Sequence, residues 1–290
     1  MYRKLSAVMV IAGILCGLCA LPVLAEAYES VPLSPEFLNW KPQYGNIPDR
    51  ADRTSGTSRK PLGSIPDPID LSHLLQNPPR PLTSDGQPSL DRDLPLPSSY
   101  DLRIYGRVGT IRDQYPWGSC WAFAAAASLE SSYMTNYPGT SPDLSEMHLA
   151  YFVYGDQREG KSFVITDETK DILDQGGNAG QAIALFSRVG TVSESVLPYA
   201  TSKTYTAPNL LPESYDLSGI RMKEAYTLGL VSGDTISTVK SLIMNNGAVR
   251  ISYFAADGGE SPSTANNAST IAYFYNLSGT RTNHAVTLIG

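Results

Sequence analysis

Histidine and cysteine are scarce here, three of each in 290 residues, so few side chains qualify as nucleophile, neutral-pH proton carrier or soft metal ligand. Nothing in their spacing implies a metal or an organic cofactor. Excess positive charge is also missing. The formal net charge is −6 and the pI near 5.1, with no basic run and no basic–aromatic stripe, which argues against nucleic acid as a partner. No period of 20–50 residues recurs, which excludes a repeat architecture.

What is present begins at the N-terminus. Arg3 and Lys4 precede an apolar run from Ala7 to Leu24, and Ala25-Glu26-Ala27 follows. This order of charge, apolar core and small residues predicts a secretory signal over 1–27, hence a secreted, periplasmic or cell-envelope protein without stable membrane insertion after cleavage. An uncleaved anchor is the alternative, since about 18 apolar residues can just span a bilayer. Cys16 and Cys19 fall inside the run, so the processed chain keeps one cysteine, Cys120. Exported proteins tend to use cysteines in pairs. A lone thiol is either inert and buried or reactive, and its surroundings decide.

From residue 28 to 97 the chain carries thirteen of its 21 prolines, with little apolar periodicity. Pro-Pro-Arg-Pro at 78–81 and Pro66-Asp67-Pro68 do not fit helix interiors or central strands. The segment reads as extended, a propeptide or a linker, with apolar islands at 37–40 and 69–75 able to dock on a folded neighbour. From residue 98 the pattern is compact. Helices are expected over 121–134, over 143–154 behind an Asp143-x-x-Glu146 cap, near 180–188, and over 235–245. Strand-like runs follow at 248–255, 271–275 and 284–289. Helices first and strands later predict an α+β domain with two unlike halves.

The chemistry concentrates around Gln114-Tyr115-Pro116-Trp117-Gly118-Ser119-Cys120-Trp121-Ala122-Phe123. Here a thiol sits where a loop becomes a helix, and the free N–H groups and dipole of a helix start favour thiolate over thiol. Gly118 and Ser119 are small enough to let a peptide approach the sulfur. Acyl transfer also needs donors for a developing oxyanion, for which the Cys120 N–H and the Gln114 amide are candidates.

These residues resemble the active-site segment of papain-like cysteine peptidases. The likeness continues through Leu96–Arg103, which resembles the start of the mature enzyme, and through Asp143-Leu144-Ser145-Glu146. It extends to the glycine pair Gly176-Gly177 and to Asn283-His284 opening an apolar strand. The resemblance implies a two-lobed papain-like fold, with a helical lobe facing a β-rich lobe across a cleft. It implies a cysteine-type endopeptidase, a monomer, acting on polypeptides through a Cys120 thioester. Cys120 would be nucleophile, His284 its proton partner, and Gln114 part of the oxyanion hole. Gly176 and Gly177 would pair with the substrate backbone, and Asn283 would offer its carbonyl beside them. Of the other histidines, His73 lies in the proline-rich segment, and His148 is expected to be solvated or packed on its helix.

The sequence departs from the family twice. The usual cysteine three residues before the nucleophile is Trp117, and its partner before Gly176 is absent too, as in a disulfide-free bacterial branch. Packing of Trp117 and Pro116 must then hold the loop. The family also carries, beyond its histidine strand, an asparagine that orients the imidazole. Here Gly290 stands six residues past His284, so a longer natural product is expected. The rival reading is a papain-like surface module, catalytically impaired, that binds a peptide or glycan.

Overall fold

The alanine-rich run after Ser119 has no glycine or proline to interrupt it, and it forms a 17-residue helix. The computed structural model describes residues 33–40, 63–70, 96–154, 171–202, 219–228, 234–253, 255 and 282–290, all within one compact unit spanning Pro32–Gly290. Its helices are α1 (Pro35–Trp40), α2 (Cys120–Asn136), α3 (Glu146–Tyr154), α4 (Ala179–Arg188) and α5 (Asp234–Asn246), and its strands are β1 (Val249–Tyr253) and β2 (His284–Leu288). A 3-10 turn, Ile172–Asp174, leads towards α4. Residues 1–27, His73 and the strand expected at 271–275 lie outside the described residues.

The central helix α2 is buried over much of its surface. Trp121, Ala122, Ala125, Met147, Leu149, Phe152, Leu173, Leu185 and Phe186 form one apolar cluster around it. Each fully buried large side chain of this kind contributes about 1.5–3 kcal/mol relative to exposure. Trp121 meets Tyr154 edge-on with centroids 6.1 Å apart, which fixes α2 against α3. A smaller cluster of Leu102, Val239, Ile243 and Ala248 joins α5 to the start of β1.

The caps explain where helices start. Helix α3 begins at Glu146, not at 143, because Ser145 supplies the cap: its Oγ accepts from the His148 N–H at 3.0 Å. Asp143, expected in that role, instead pairs with Arg112 at 2.9 Å. Helix α4 carries a full capping box between Asn178 and Gln181. Helix α5 stops at Gly247, whose φ of +102° suits glycine alone, and a Cβ there would press on Ser131.

One cation organises the polar interior. Arg112 reaches both oxygens of buried Glu130, Asp143 at 2.9 Å and Glu146 at 2.8 Å. A single guanidinium cannot neutralise three carboxylates. Burial therefore wins at Glu146, which is pushed up to about 8.

Strands β1 and β2 pair antiparallel, with Arg250 opposite Thr287, Ser252 opposite Ala285 and Tyr253 opposite His284. Side chains alternate across a strand, so Arg250, Ser252, Ala285 and Thr287 share one face. That face rests on α2: Thr287 Oγ1 donates to the Ala124 carbonyl at 3.2 Å, and Ala285 clusters with Cys120 and Ala124.

Candidate active site

Two distant pieces of chain meet at one sulfur. Cys120 is the first residue of α2, and its thiol is free and 1% exposed. Ala285, at the second position of β2, packs against it together with Ala124, and the Ala285 N–H favours its thiolate form. His284, the residue before, is buried and meets the Tyr253 ring edge-on at 5.6 Å. Residues 164 apart in sequence thus share one site.

The loop before the nucleophile is held from several sides. Gly118 N–H donates to Asp174 Oδ1 at 2.7 Å. Trp117 is buried, and its indole N–H donates to the Ala200 carbonyl at 2.7 Å, so a packed and hydrogen-bonded tryptophan stands where the family disulfide is absent. The Gln114 amide donates to the Trp117 carbonyl at 3.0 Å. Because that nitrogen carries two hydrogens, the bond orients the carboxamide and leaves donor capacity. Ser119 departs from the expectation that it lines the approach. It is fully buried, and its hydroxyl turns inward to Tyr199 Oη at 2.6 Å.

The groove beside the sulfur contains a stretch of the chain itself. Gly177 N–H donates to the Gly63 carbonyl at 2.7 Å, and Ile65 N–H donates to the Gly177 carbonyl at 2.9 Å. Ser64 lies parallel to Gly177. Its N–H donates to the Asn283 carbonyl at 3.1 Å, and its Oγ lies 3.0 Å from Ser252 Oγ. Glycine is required at both members of the pair. Gly176 has φ +78°, and a Cβ on it would reach 2.9 Å from the Gly63 carbonyl oxygen. A Cβ on Gly177 would enter the Trp121 indole, 2.2 Å from its nearest atom. The described part of the proline-rich segment docks through backbone and polar atoms; Leu38 and Ile69 of its two apolar islands stay about half exposed, and 71–75 lie outside the described residues.

Flanking contacts fasten this strap. Asp67 Oδ1 accepts from Gly180 N–H at 3.2 Å. Ser34 donates its hydroxyl to the Asp67 carbonyl at 2.6 Å and its N–H to the Pro68 carbonyl at 2.9 Å. On α1, Glu36 Oε1 accepts from Thr282 N–H at 3.3 Å and Thr282 Oγ1 at 3.1 Å.

The electrostatics follow from this cover. Burial pushes the Cys120 thiol up, against the pull of the Ala285 and Gly63 N–H groups, the Arg250 charge and the Trp121 N–H. A helix start alone predicts the opposite direction. The donors are present, but with the strap in the groove the sulfur loses water, and desolvation of a thiolate outweighs them. Asp67 is likewise raised by burial, against the Gly180 N–H and Arg250.

Tyr199, Asp174, Ser252 and Arg250 carry no local signal in the sequence that marks them as part of this site. His148 is packed: it is buried against Phe152, with ring centroids 4.4 Å apart. Among the described residues, no group of three or more His, Cys, Asp or Glu is arranged to hold a metal, and no helix is long and apolar enough to cross a membrane.

Comparison with known proteins matches this geometry to a family. The model for papain family cysteine protease covers residues 96–290. Stem bromelain of Ananas comosus is 28% identical over 200 residues, 67% of this chain and 77% of its own. A cysteine protease of Blomia tropicalis is 32% identical over 124 residues, 43% of this chain and 34% of its own. The solved structure of the cysteine protease and lectin-like domains of Cwp84, a surface layer associated protein of Clostridium difficile, aligns at a TM-score of 0.56 and 21% identity. It covers 90% of this chain and 48% of the Cwp84 chain. The α+β, papain-like fold is therefore shared, while this chain spans about half or less of the length of some relatives.

Proposed function

From the premise that this chain belongs to the papain family of cysteine proteases, we propose that it hydrolyses peptide bonds through a thioester at Cys120. The sulfur attacks the substrate carbonyl carbon, the C–N bond breaks, and the His284 imidazolium gives its proton to the departing amine. Water, deprotonated by the same imidazole, then attacks the thioester carbonyl and releases the acid and the thiol. The Cys120 N–H and the Gln114 amide face the developing oxyanion. Gly177 and the Asn283 carbonyl bind the extended backbone, and Gly176 keeps its approach clear.

The observation that carries this reading is the packing of Ala285, the residue after His284, with Cys120 and Ala124 in one buried cluster. It supports a nucleophile and a histidine within one residue of contact, beside a groove that already accepts peptide. The test is hydrolysis of a fluorogenic peptide library by the full natural protein after processing. Turnover that disappears in both Cys120→Ala and His284→Ala, with thermal melting unchanged, supports the reading. Turnover that survives Cys120→Ala rejects it.

Two finer elements belong to the same proposal. Residues 1–27 act as the export signal, and residues 28–97 act as a propeptide that keeps the enzyme latent. Gly63–Ile65 in the groove support latency. The processed enzyme is read as a monomer taking polypeptide substrates.

A further inference from the structure

Arg250 is an unusual side chain to find beside a cysteine nucleophile. In the run Val-Arg-Ile-Ser-Tyr it reads as the outward polar residue of an alternating strand. Register reverses that. Arg250 lies on the same face of β1 as Ser252, whose hydroxyl meets Ser64 of the strap. Across the ladder this face holds Ala285 and Thr287, which pack on Cys120 and α2. The guanidinium thus lies on the inward face beside the groove, and its Nε and Nη2 are buried with no hydrogen-bond partner among the described residues. Two guanidinium nitrogens buried without hydrogen bonds are costly, and a carboxylate is the group that relieves them best.

The latent chain supplies an acid nearby. Asp67, three residues beyond Ser64 in the strap, is near enough for the two opposite charges to attract, and each favours the other's ionised form. Asp67 is anchored to the Gly180 N–H at the start of α4, on the wall that begins with the glycine pair. When the strap leaves, its carboxylate leaves with it. The cation stays, held on a strand of the scaffold, in a groove whose backbone donors and acceptors are set for an extended peptide.

Resting on the peptidase reading above, we infer that Arg250 is a specificity-determining residue, and that the groove selects a substrate with an acidic side chain at the position seated between Gly177 and Ser252. Charge complementarity at one buried subsite discriminates strongly, because the neutral isostere leaves the guanidinium unpaired.

The experiment uses the processed natural protein and a fluorogenic tetrapeptide library in which each position is varied in turn. At one position Glu or Asp is expected to exceed Gln or Asn in kcat/KM by about tenfold or more. Arg250→Gln is expected to abolish that preference at the same position, Arg250→Lys to keep part of it, and Arg250→Glu to shift it towards Lys and Arg. The Glu-to-Gln ratio on the unaltered protein needs no variant, so a misfolded variant does not shelter the inference. Cleavage without acid preference at any position overturns it while leaving the peptidase reading intact. An acid preference that persists unchanged in a folded Arg250→Gln protein also overturns it. Failure to cleave any member of the library overturns the peptidase reading, and this inference with it.

Discussion

Ser119 and Tyr199, 80 residues apart in sequence, share a hydrogen bond of 2.6 Å between their hydroxyls. The same phenol donates to the Gln114 carbonyl at 2.7 Å, and its ring stands edge-on to Phe123. One side chain therefore ties the residue before the nucleophile to the residue offering the amide. Tyr199→Phe keeps the ring and removes both bonds. It is expected to lower stability by about 1–3 kcal/mol and to reduce kcat with little change in KM, as measured by urea denaturation and peptide hydrolysis. A KM rise with unaltered kcat would contradict the positioning role.

Gly63 has no room for a side chain: a Cβ there would lie 1.6 Å from the Gly118 carbonyl oxygen. Gly63→Val must lift the strap from the groove, while the domain beneath it keeps its own contacts. Alkylation of Cys120 by iodoacetamide in the uncleaved chain should accelerate by about tenfold or more, since about 1.4 kcal/mol of lost docking already shifts an equilibrium tenfold. An unchanged rate would mean that Gly63 does not guard the sulfur.

The pH dependence of that alkylation tests the cover itself. In the uncleaved chain burial holds the thiol above its ordinary value, so the rate should rise only at alkaline pH. Once the residues before 96 are removed, water and the helix start act on the sulfur together, and the half-point should fall. Equal half-points before and after processing would remove the strap as the cause.

Much of this architecture was legible in the sequence, for a local reason. Helices α2, α4 and α5 and strands β1 and β2 lie within a few residues of their expected bounds, because each is bounded by a cap, a glycine or a clear period. Helix α3 was set three residues early, since Asp143 and Ser145 are both good caps and only the pull of Arg112 on Asp143 decides between them. Cys120, Gly177 and Asn283 stood out through their immediate neighbours. Tyr199, Asp174 and Arg250 act across 50 residues or more, and nothing near them in sequence reports that distance. The inward turn of Ser119 was hidden for the same reason.

Glu146 and His148 should give the fold a skewed stability profile. Glu146 is raised to about 8, so the folded chain holds a proton that the unfolded chain releases above about 4.5, and stability falls as pH rises through that window. Burial lowers His148 to about 4, so the unfolded chain takes a proton near 6.5 that the folded one refuses, and stability falls as pH drops from 6.5 towards 4. Between about 4.5 and 6.5 the two slopes cancel. The expected curve is flat there and declines by roughly 2 kcal/mol from pH 6.5 to 8. Denaturation midpoints across pH should follow it, and Glu146→Gln should level the alkaline limb. A wild-type curve rising steadily to pH 8 would contradict the assignment for Glu146.

The strap runs parallel to Gly177, and its Gly63 carbonyl oxygen is turned to the Gly177 N–H. With that carbonyl oxygen engaged by the groove wall instead of by the Cys120 N–H and the Gln114 amide, the Gly63–Ser64 bond can lie across its own blade uncut. Severance is then expected elsewhere in the leader, made by a second molecule. Maturation of purified protein would be bimolecular, its half-time shortening on concentration and after seeding with a trace of finished enzyme.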